Sequence, residues 1–382
     1  MQLTPPLNVK ESEFFMEKAT AAVLVAPGKF EFREFSIPEI NDDEMIIKVQ
    51  GCGVCGTDGH EYKRDPFGLC PVVLGHEGSG EIVKLGKNIT KDSAGMPVKV
   101  GDSIVTCIIP CGECSACKNT PARTNLCENV GVYGLFPDDE THLNGYFATH
   151  MKVRANSTFF NVSDMTLDQR LLVEPAAVAV HAVERAKMTN LLNFNTKVLV
   201  QGTGPIGLLV MAVLRTLGIE NIIAVDGNDN RLEIAKTLGA THTFNFTKYP
   251  SFDDMLADVK KVTDGLGAEF VFQCTGVAQA GANAWKLIRR GGGLCEVGFF
   301  MDGGNCSINH HFDLCNKEVT AVGSWVYTPQ DYPITFSFLK RAAGIGLPVE
   351  QLVTHHFPLK DITEALETNV KMLGIKVAVV NE

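Results

Sequence analysis

The chain has 382 residues, more than one hydrophobic core usually organises, and its 45% hydrophobic and 20% charged content describes a globular protein. A net charge of −10 with no dense Lys/Arg run argues against a nucleic-acid partner. The longest apolar stretches, such as 206–214, are too short to span a bilayer, so no membrane partner is expected. The first fifteen residues, with Pro5, Pro6, Glu11 and Glu13, do not read as a secretion signal, and the expected compartment is the cytoplasm. Residues 1–16 read as an N-terminal extension. In that compartment the 12 cysteines are expected to be reduced thiols and metal ligands rather than a disulfide framework.

In chain order, short β-like runs come first, at 21–25, 45–49, 81–84, 103–108 and 146–153, separated by glycine-rich turns. From about 175 the texture changes to strand–helix alternation. Residues 198–200 read as a buried strand, 205–217 as a helix, 222–225 as the next strand and 230–238 as a helix that Gly239 can end. Strands are predicted again at 270–272 and 294–297, and the tail after about 310 is mixed, closing in a strand over 375–380. The fold class is therefore α/β: a β-rich domain followed by a doubly wound parallel sheet. The expected domain map is 17–175, completed by 310–382, and 176–309 for dinucleotide binding.

Gly202-Thr203-Gly204-Pro205-Ile206-Gly207 follows a predicted strand and opens a predicted helix. The first glycine allows a tight turn, the second lets backbone approach a pyrophosphate, and the third lets helix pack close to strand. Pro205 suits the first helical turn, whose free N–H groups face the phosphates. Asp226 ends the next strand, 19 residues past Gly207, where a carboxylate accepts from ribose hydroxyls and repels a 2′-phosphate. NAD is thus favoured over NADP, although Arg231 nearby is suited to a 2′-phosphate.

Two metal sites are predicted. Cys55-Gly-Thr57-Asp58-Gly-His60 precedes Gly75-His76-Glu77-Gly78, bringing thiolate, imidazole and carboxylate into a set that suits an open zinc site. Cys111, Cys114 and Cys117, each separated by two residues, followed by Cys127, make a closed four-thiolate set suited to a structural zinc.

The run from Gly75 to Gly80, with Gly86 and Ile89 after it, resembles the signature of the zinc-dependent medium-chain alcohol dehydrogenases. Cys55 to His60 resembles their first ligand loop, and the likeness extends from about Met16 to the end. The resemblance implies a GroES-like catalytic domain beside a Rossmann domain, and a homo-oligomer, dimer or tetramer. It implies Cys55 and His76 as catalytic zinc ligands, with Glu77, Glu174 or both completing the set, and Asp58 orienting His76. Thr57 and His60 take the positions of the family's proton-relay groups. Cys111, Cys114, Cys117 and Cys127 match its structural lobe, with nine residues between the last two where seven are usual.

Glu174, followed by Pro175, is similar to the polyol, sugar and threonine branches, which carry glutamate where ethanol-type members carry cysteine. The same pair would also suit the first turn of a helix, as an acid beside an N-terminal proline. Lys63 and Arg64 read either as a solvated charge pair or as a contact for a phosphorylated substrate. The implied reaction is NAD-linked oxidation of a secondary hydroxyl in a small polyol, sugar or cyclitol, through a zinc alkoxide and hydride transfer. Alternatives left open are a threonine or simple-alcohol dehydrogenase, and a non-catalytic nucleotide-binding member of the family.

Overall fold

A computed structural model of the chain describes residues 18–381, so the expected extension at 1–16 lies outside the described residues. The chain begins in two antiparallel strands, β1 (Lys18–Ala26) and β2 (Lys29–Ser36), and continues into β3 (Met45–Val54). Helix α1 (Gly56–Arg64) follows, then β4 (Val72–Val73), β5 (Glu77–Leu85) and β6 (Ser103–Thr106). After the short helix α2 (Ser115–Asn119) come β7 (His150–Val153) and β8 (Phe159–Asn161). β3 is buried along nearly its whole length because β5, β7 and a strand from the far end of the chain all pair with it. Its sequence is accordingly apolar on both faces rather than alternating.

Helix α3 (Leu167–Lys187) leads out of this β-rich region. It starts at a capping box in which the Thr166 hydroxyl accepts from the Gln169 N–H and Gln169 reaches back to Thr166 N–H. Glu174 therefore sits in the third turn, with Pro175 inside the helix, and the alternative of a first-turn acid is corrected: the helix begins eight residues earlier, where the cap fixes it. The expected division between 175 and 176 falls within this continuous helix.

Next comes the alternating region: β9 (Val198–Gln201), α4 (Pro205–Thr216), β10 (Ile222–Asp226), α5 (Asp229–Thr237), β11 (His242–Asn245), α6 (Phe252–Val262), β12 (Ala268–Gln273), α7 (Ala278–Leu287), β13 (Ile288–Glu296) and β14 (Thr320–Gly323). All six strands are parallel, in the order β11-β10-β9-β12-β13-β14. That order reverses beside β9, and the crevice above the carboxyl ends of β9 and β12 is where such sheets receive ligands. The doubly wound sheet predicted from the alternation is present. The helix and strand bounds differ from the predicted ones by a residue or two, except that β13 starts six residues before the predicted 294.

The tail forms α8 (Asp331–Gly344), β15 (Val353–Pro358), α9 (Ile362–Val370) and β16 (Lys376–Val380). β15 and β16 join the first region's sheet, order β15-β16-β3-β5-β6-β8, with β16 antiparallel to β3. One buried cluster runs from α3 through α4 and α8 to β9 and β12, locking the helix against the parallel sheet. Among the described residues, no helix is long and apolar enough to cross a membrane.

Candidate active site and metal centres

Cys55 caps the N-terminus of α1, and the Asp58 carboxylate accepts from Cys55 N–H at 2.8 Å. The other Asp58 oxygen accepts from Gly75 N–H and lies 3.5 Å from His76 Nδ1. One fully buried carboxylate thus caps the start of the helix and stands beside the imidazole. The ligand atoms of Cys55, His76 and Glu77 lie within 4.8 Å of one another. Thr57 Oγ1 stands 3.7 Å from Cys55 Sγ. His60, one helical turn on, is partly buried under Phe300, with ring centroids 5.7 Å apart.

Glu77 has a second partner that is not among the sequence-predicted site residues. Lys376 Nζ donates to its carboxylate at 2.7 and 2.5 Å, and both side chains are buried. Gly53, opposite Glu77 across β3 and β5, leaves the space: a Cβ there would sit 2.3 Å from Glu77 Oε2. The sequence signal for Lys376 is a lone lysine at the head of an otherwise apolar strand, which a buried strand keeps only if the charge is paired.

Glu174 reaches the same cleft from α3. Burial and the nearby Glu77 push its carboxyl up to about 7, against the pull of His76 and a hydrogen bond from Tyr327. It is not part of the 4.8 Å group. Seven residues on, the His181 imidazole meets Asp331 at 2.9 Å, and Asp331 also accepts from Thr328 N–H and its hydroxyl. This buried network ties α3 to α8 through the segment that carries Tyr327.

The second cluster is Cys111, Cys114, Cys117 and Cys127, again within 4.8 Å. Backbone N–H groups point at the sulfurs: Cys111 N–H at Cys127 Sγ, 3.2 Å, and Glu113 and Cys114 N–H at Cys111 Sγ, both 3.4 Å. Backbone donors from Cys117 and Glu128 hold the Cys114 thiol at about 6. Donors arranged for thiolates, around four converging sulfurs, are what a closed four-sulfur metal site requires. All twelve cysteines are free thiols.

At the head of α4 the glycines act as expected of a phosphate turn. Gly202 has φ +93°, and a Cβ on Gly207 would lie 1.9 Å from Gly202 O, so helix and strand could not approach. Asp226 accepts from Thr203 N–H at 2.7 Å and from Asn228 N–H at 2.9 Å, which fixes it at the mouth of a 440 Å³ cavity with Gly202, Phe246 and Thr275. Arg231 leans over the turn, its Nη1 3.9 Å from where a Cβ on Gly204 would stand. Pro205 and Arg231 open instead on a 560 Å³ cavity shared with α1 and β16, while Ile206 packs against the core.

Comparison with known proteins decides the family. Residues 41–164 match the family model for the alcohol dehydrogenase GroES-like domain, and residues 205–341 that for zinc-binding dehydrogenases. The chain is 32% identical over 372 residues to a sorbitol dehydrogenase of Bacillus subtilis, covering 96% of this chain and 95% of the relative. The chain belongs to the zinc-type medium-chain alcohol dehydrogenase family. A D-arabitol-phosphate dehydrogenase of Enterococcus avium is 31% identical over 367 residues, 93% of this chain and 95% of that one. The crystal structure of an alcohol dehydrogenase from Thermotoga maritima superposes with a TM-score of 0.88 at 30% identity, covering 96% of this chain and all of that one. The enzyme is thus an oxidoreductase of the alcohol and polyol class, a zinc-binding, nicotinamide-dinucleotide-dependent dehydrogenase built from a GroES-like region and a Rossmann sheet. Both cysteine-containing clusters fit that chemistry, one with mixed donors in the cleft and one with sulfur alone.

Proposed function

We propose that the enzyme oxidises a secondary hydroxyl of a small polyol, sugar or cyclitol with NAD. The observation that carries this reading is the carboxylate-rich cleft, in which Glu174 and Glu77 stand beside one thiol and one imidazole in place of a second sulfur. Cys55 and His76 would hold the zinc, with Glu174 and Glu77 as the carboxylates available to it. Lys376 draws Glu77 toward the protein, whereas no ion pair within the described residues engages Glu174, which favours Glu174 as the more available ligand. When bound, the zinc lowers the pKa of the substrate hydroxyl.

This chain's residues then manage the proton. Thr57, beside Cys55, accepts it and His60 carries it outward. Burial, together with Arg64 and Lys63, holds His60 below its ordinary pKa. Arg64 Nη2 donates to His60 Nδ1 at 3.2 Å, so the ring is neutral with its proton on Nε2, and Arg64 must release Nδ1 before the ring takes up another.

Asp226, held by two backbone donors, supports NAD rather than NADP, with Gly202, Gly204, Pro205, Ile206, Gly207 and Arg231 around the dinucleotide. The four-cysteine lobe is read as a structural zinc site. We read 17–175 with 310–382 as the catalytic domain and 176–309 as the dinucleotide domain, which the pairing of β16 with β3 supports. We further place the enzyme in the cytoplasm as a homo-oligomer. β14, with a free edge in the parallel sheet, suits self-association.

Steady-state screening of polyols, sugars, cyclitols, threonine and ethanol with NAD and NADP tests the substrate class. Turnover is expected to favour a polyol or sugar with NAD. Equal rates on ethanol, or a clear preference for threonine, would remove the proposal.

A further inference from the structure

Tyr327 lies in the short segment between β14 and α8, one residue past Val326, whose φ is +52°. Among the described residues Val326 is the one β-branched residue with positive φ, a conformation that its branched Cβ resists. The segment is held there from both ends. Asn125 Nδ2 donates to Trp325 O at 2.8 Å, while the Thr328 N–H and hydroxyl donate to Asp331 at 2.6 and 2.8 Å. Asp331 in turn meets His181 at 2.9 Å, two turns beyond Glu174 on α3. Backbone strain persists where the surrounding contacts over-determine it, and the residue this strained turn presents is Tyr327, a buried phenol beside Glu174.

The Tyr327 hydroxyl has two acceptors beside it, the Glu174 carboxylate and the Tyr332 oxygen, the two tyrosine rings lying 5.4 Å apart. Tyr332 gives its own hydrogen to Thr106 O at 2.9 Å and so offers Tyr327 only a lone pair. A phenol has a single hydrogen to give, and an ionised acceptor holds it about twice as strongly as a neutral one. A tyrosine that merely filled the core would be satisfied by Tyr332 and would need no strained residue before it. We propose that Tyr327 is a positioning residue for Glu174: its hydroxyl donates to one carboxylate oxygen, fixing the side chain in the cleft and leaving the other oxygen free for the metal. This deepens the reading of Glu174 as the more available zinc ligand and rests on it. The two carboxylates then differ in their partners. Lys376 neutralises Glu77, whereas a neutral phenol orients Glu174 without cancelling the charge that a cation needs.

The test compares the zinc-loaded parent with Tyr327→Phe, Glu174→Ala and the double variant. It reads kcat, zinc loss to a chelator, and the d–d absorption of cobalt(II) exchanged into the cleft. In Tyr327→Phe, kcat and the affinity of the cleft metal are each expected to fall about 10- to 100-fold, with the cobalt bands shifted and the NADH dissociation constant unchanged. Glu174→Ala should fall at least as far, and adding Tyr327→Phe to it should change nothing more, because the phenol acts through the carboxylate. Parent-like metal affinity and cobalt bands in folded Tyr327→Phe, with Glu174→Ala impaired, overturn the positioning role alone. So do losses that simply add in the double variant. Parent-like metal affinity in Glu174→Ala removes the ligand reading, and the proposal with it. If Tyr327→Phe does not fold, Val326→Gly takes its place. Glycine adopts φ +52° freely, so the melting temperature is expected to hold while the loosened turn lowers kcat severalfold and shifts the cobalt bands. Unaltered kcat and cobalt bands in that variant overturn the proposal as well.

Discussion

The two cysteine-containing clusters differ in how they are built. The four-cysteine lobe comes from one stretch, 111–127, with three of its cysteines partly exposed and Cys127 buried, all steered by local N–H groups. The cleft cluster draws Cys55 from the head of α1 and His76 and Glu77 from the head of β5, is mostly buried, and depends on charges brought from as far as Lys376. A local all-sulfur site can be complete without the rest of the fold. A mixed-donor site with a vacant side needs the fold to supply counter-charge and a wall.

That contrast breaks first at the ligands. Cys55→Ala is expected to lower kcat on the order of 10³-fold or more while NADH affinity, followed by nicotinamide fluorescence, changes little. If turnover survives, the cleft is not the metal centre. Cys114→Ala should do the reverse, costing several kcal/mol of stability and one zinc per chain by metal analysis, with kcat of the surviving folded enzyme close to normal. A kinetic defect at unchanged stability would erase the distinction.

Two smaller effects sharpen it. Lys376→Met leaves the Glu77 carboxylate buried and unpaired, at a cost of about 3–5 kcal/mol in denaturant unfolding, and adding Glu77→Gln should recover much of the loss. Non-recovery would mean the pair is not what holds β16 to the site. Glu61, on α1, is fully buried, and neither carboxylate oxygen makes a hydrogen bond of ordinary geometry, although Asp65 and the Phe67 N–H lie beside it. Burial and the neighbouring Asp65 push its carboxyl up to about 7. Folded protein keeps this proton between the ordinary glutamate range and pH 7 while the unfolded chain releases it, so stability falls as pH rises through that window. Glu61→Gln should flatten that slope and stabilise the protein at pH 8 by on the order of 2 kcal/mol. An unchanged profile would show that Glu61 finds a partner in solution.

Much of the architecture was legible from local pattern. The alternation after 175 predicted the parallel sheet because each strand and helix carries its own periodicity. The phosphate turn was legible because its glycines are demanded by close backbone approach, as at Gly207. Glu174 was harder: Pro175 is a strong helix-start signal, yet the Thr166–Gln169 capping box, eight residues earlier, sets the start and the helix absorbs the proline. The Asp331–His181 contact joins residues 150 apart, with nothing nearby in either sequence to announce it.

The amino-acid order by itself determined which atoms are available for chemistry: four closely spaced thiols, a Cys and a His-Glu pair in separate glycine-rich loops, and a turn shaped for phosphate. Those features depend on spacing within a few residues, where the backbone allows few arrangements. Only tertiary structure decided that Lys376 neutralises Glu77, that Glu174 faces the cleft from inside a helix, and that Tyr327 meets it there. Electrostatic partnership acts through space at ångström range, and chain separation carries no information about it.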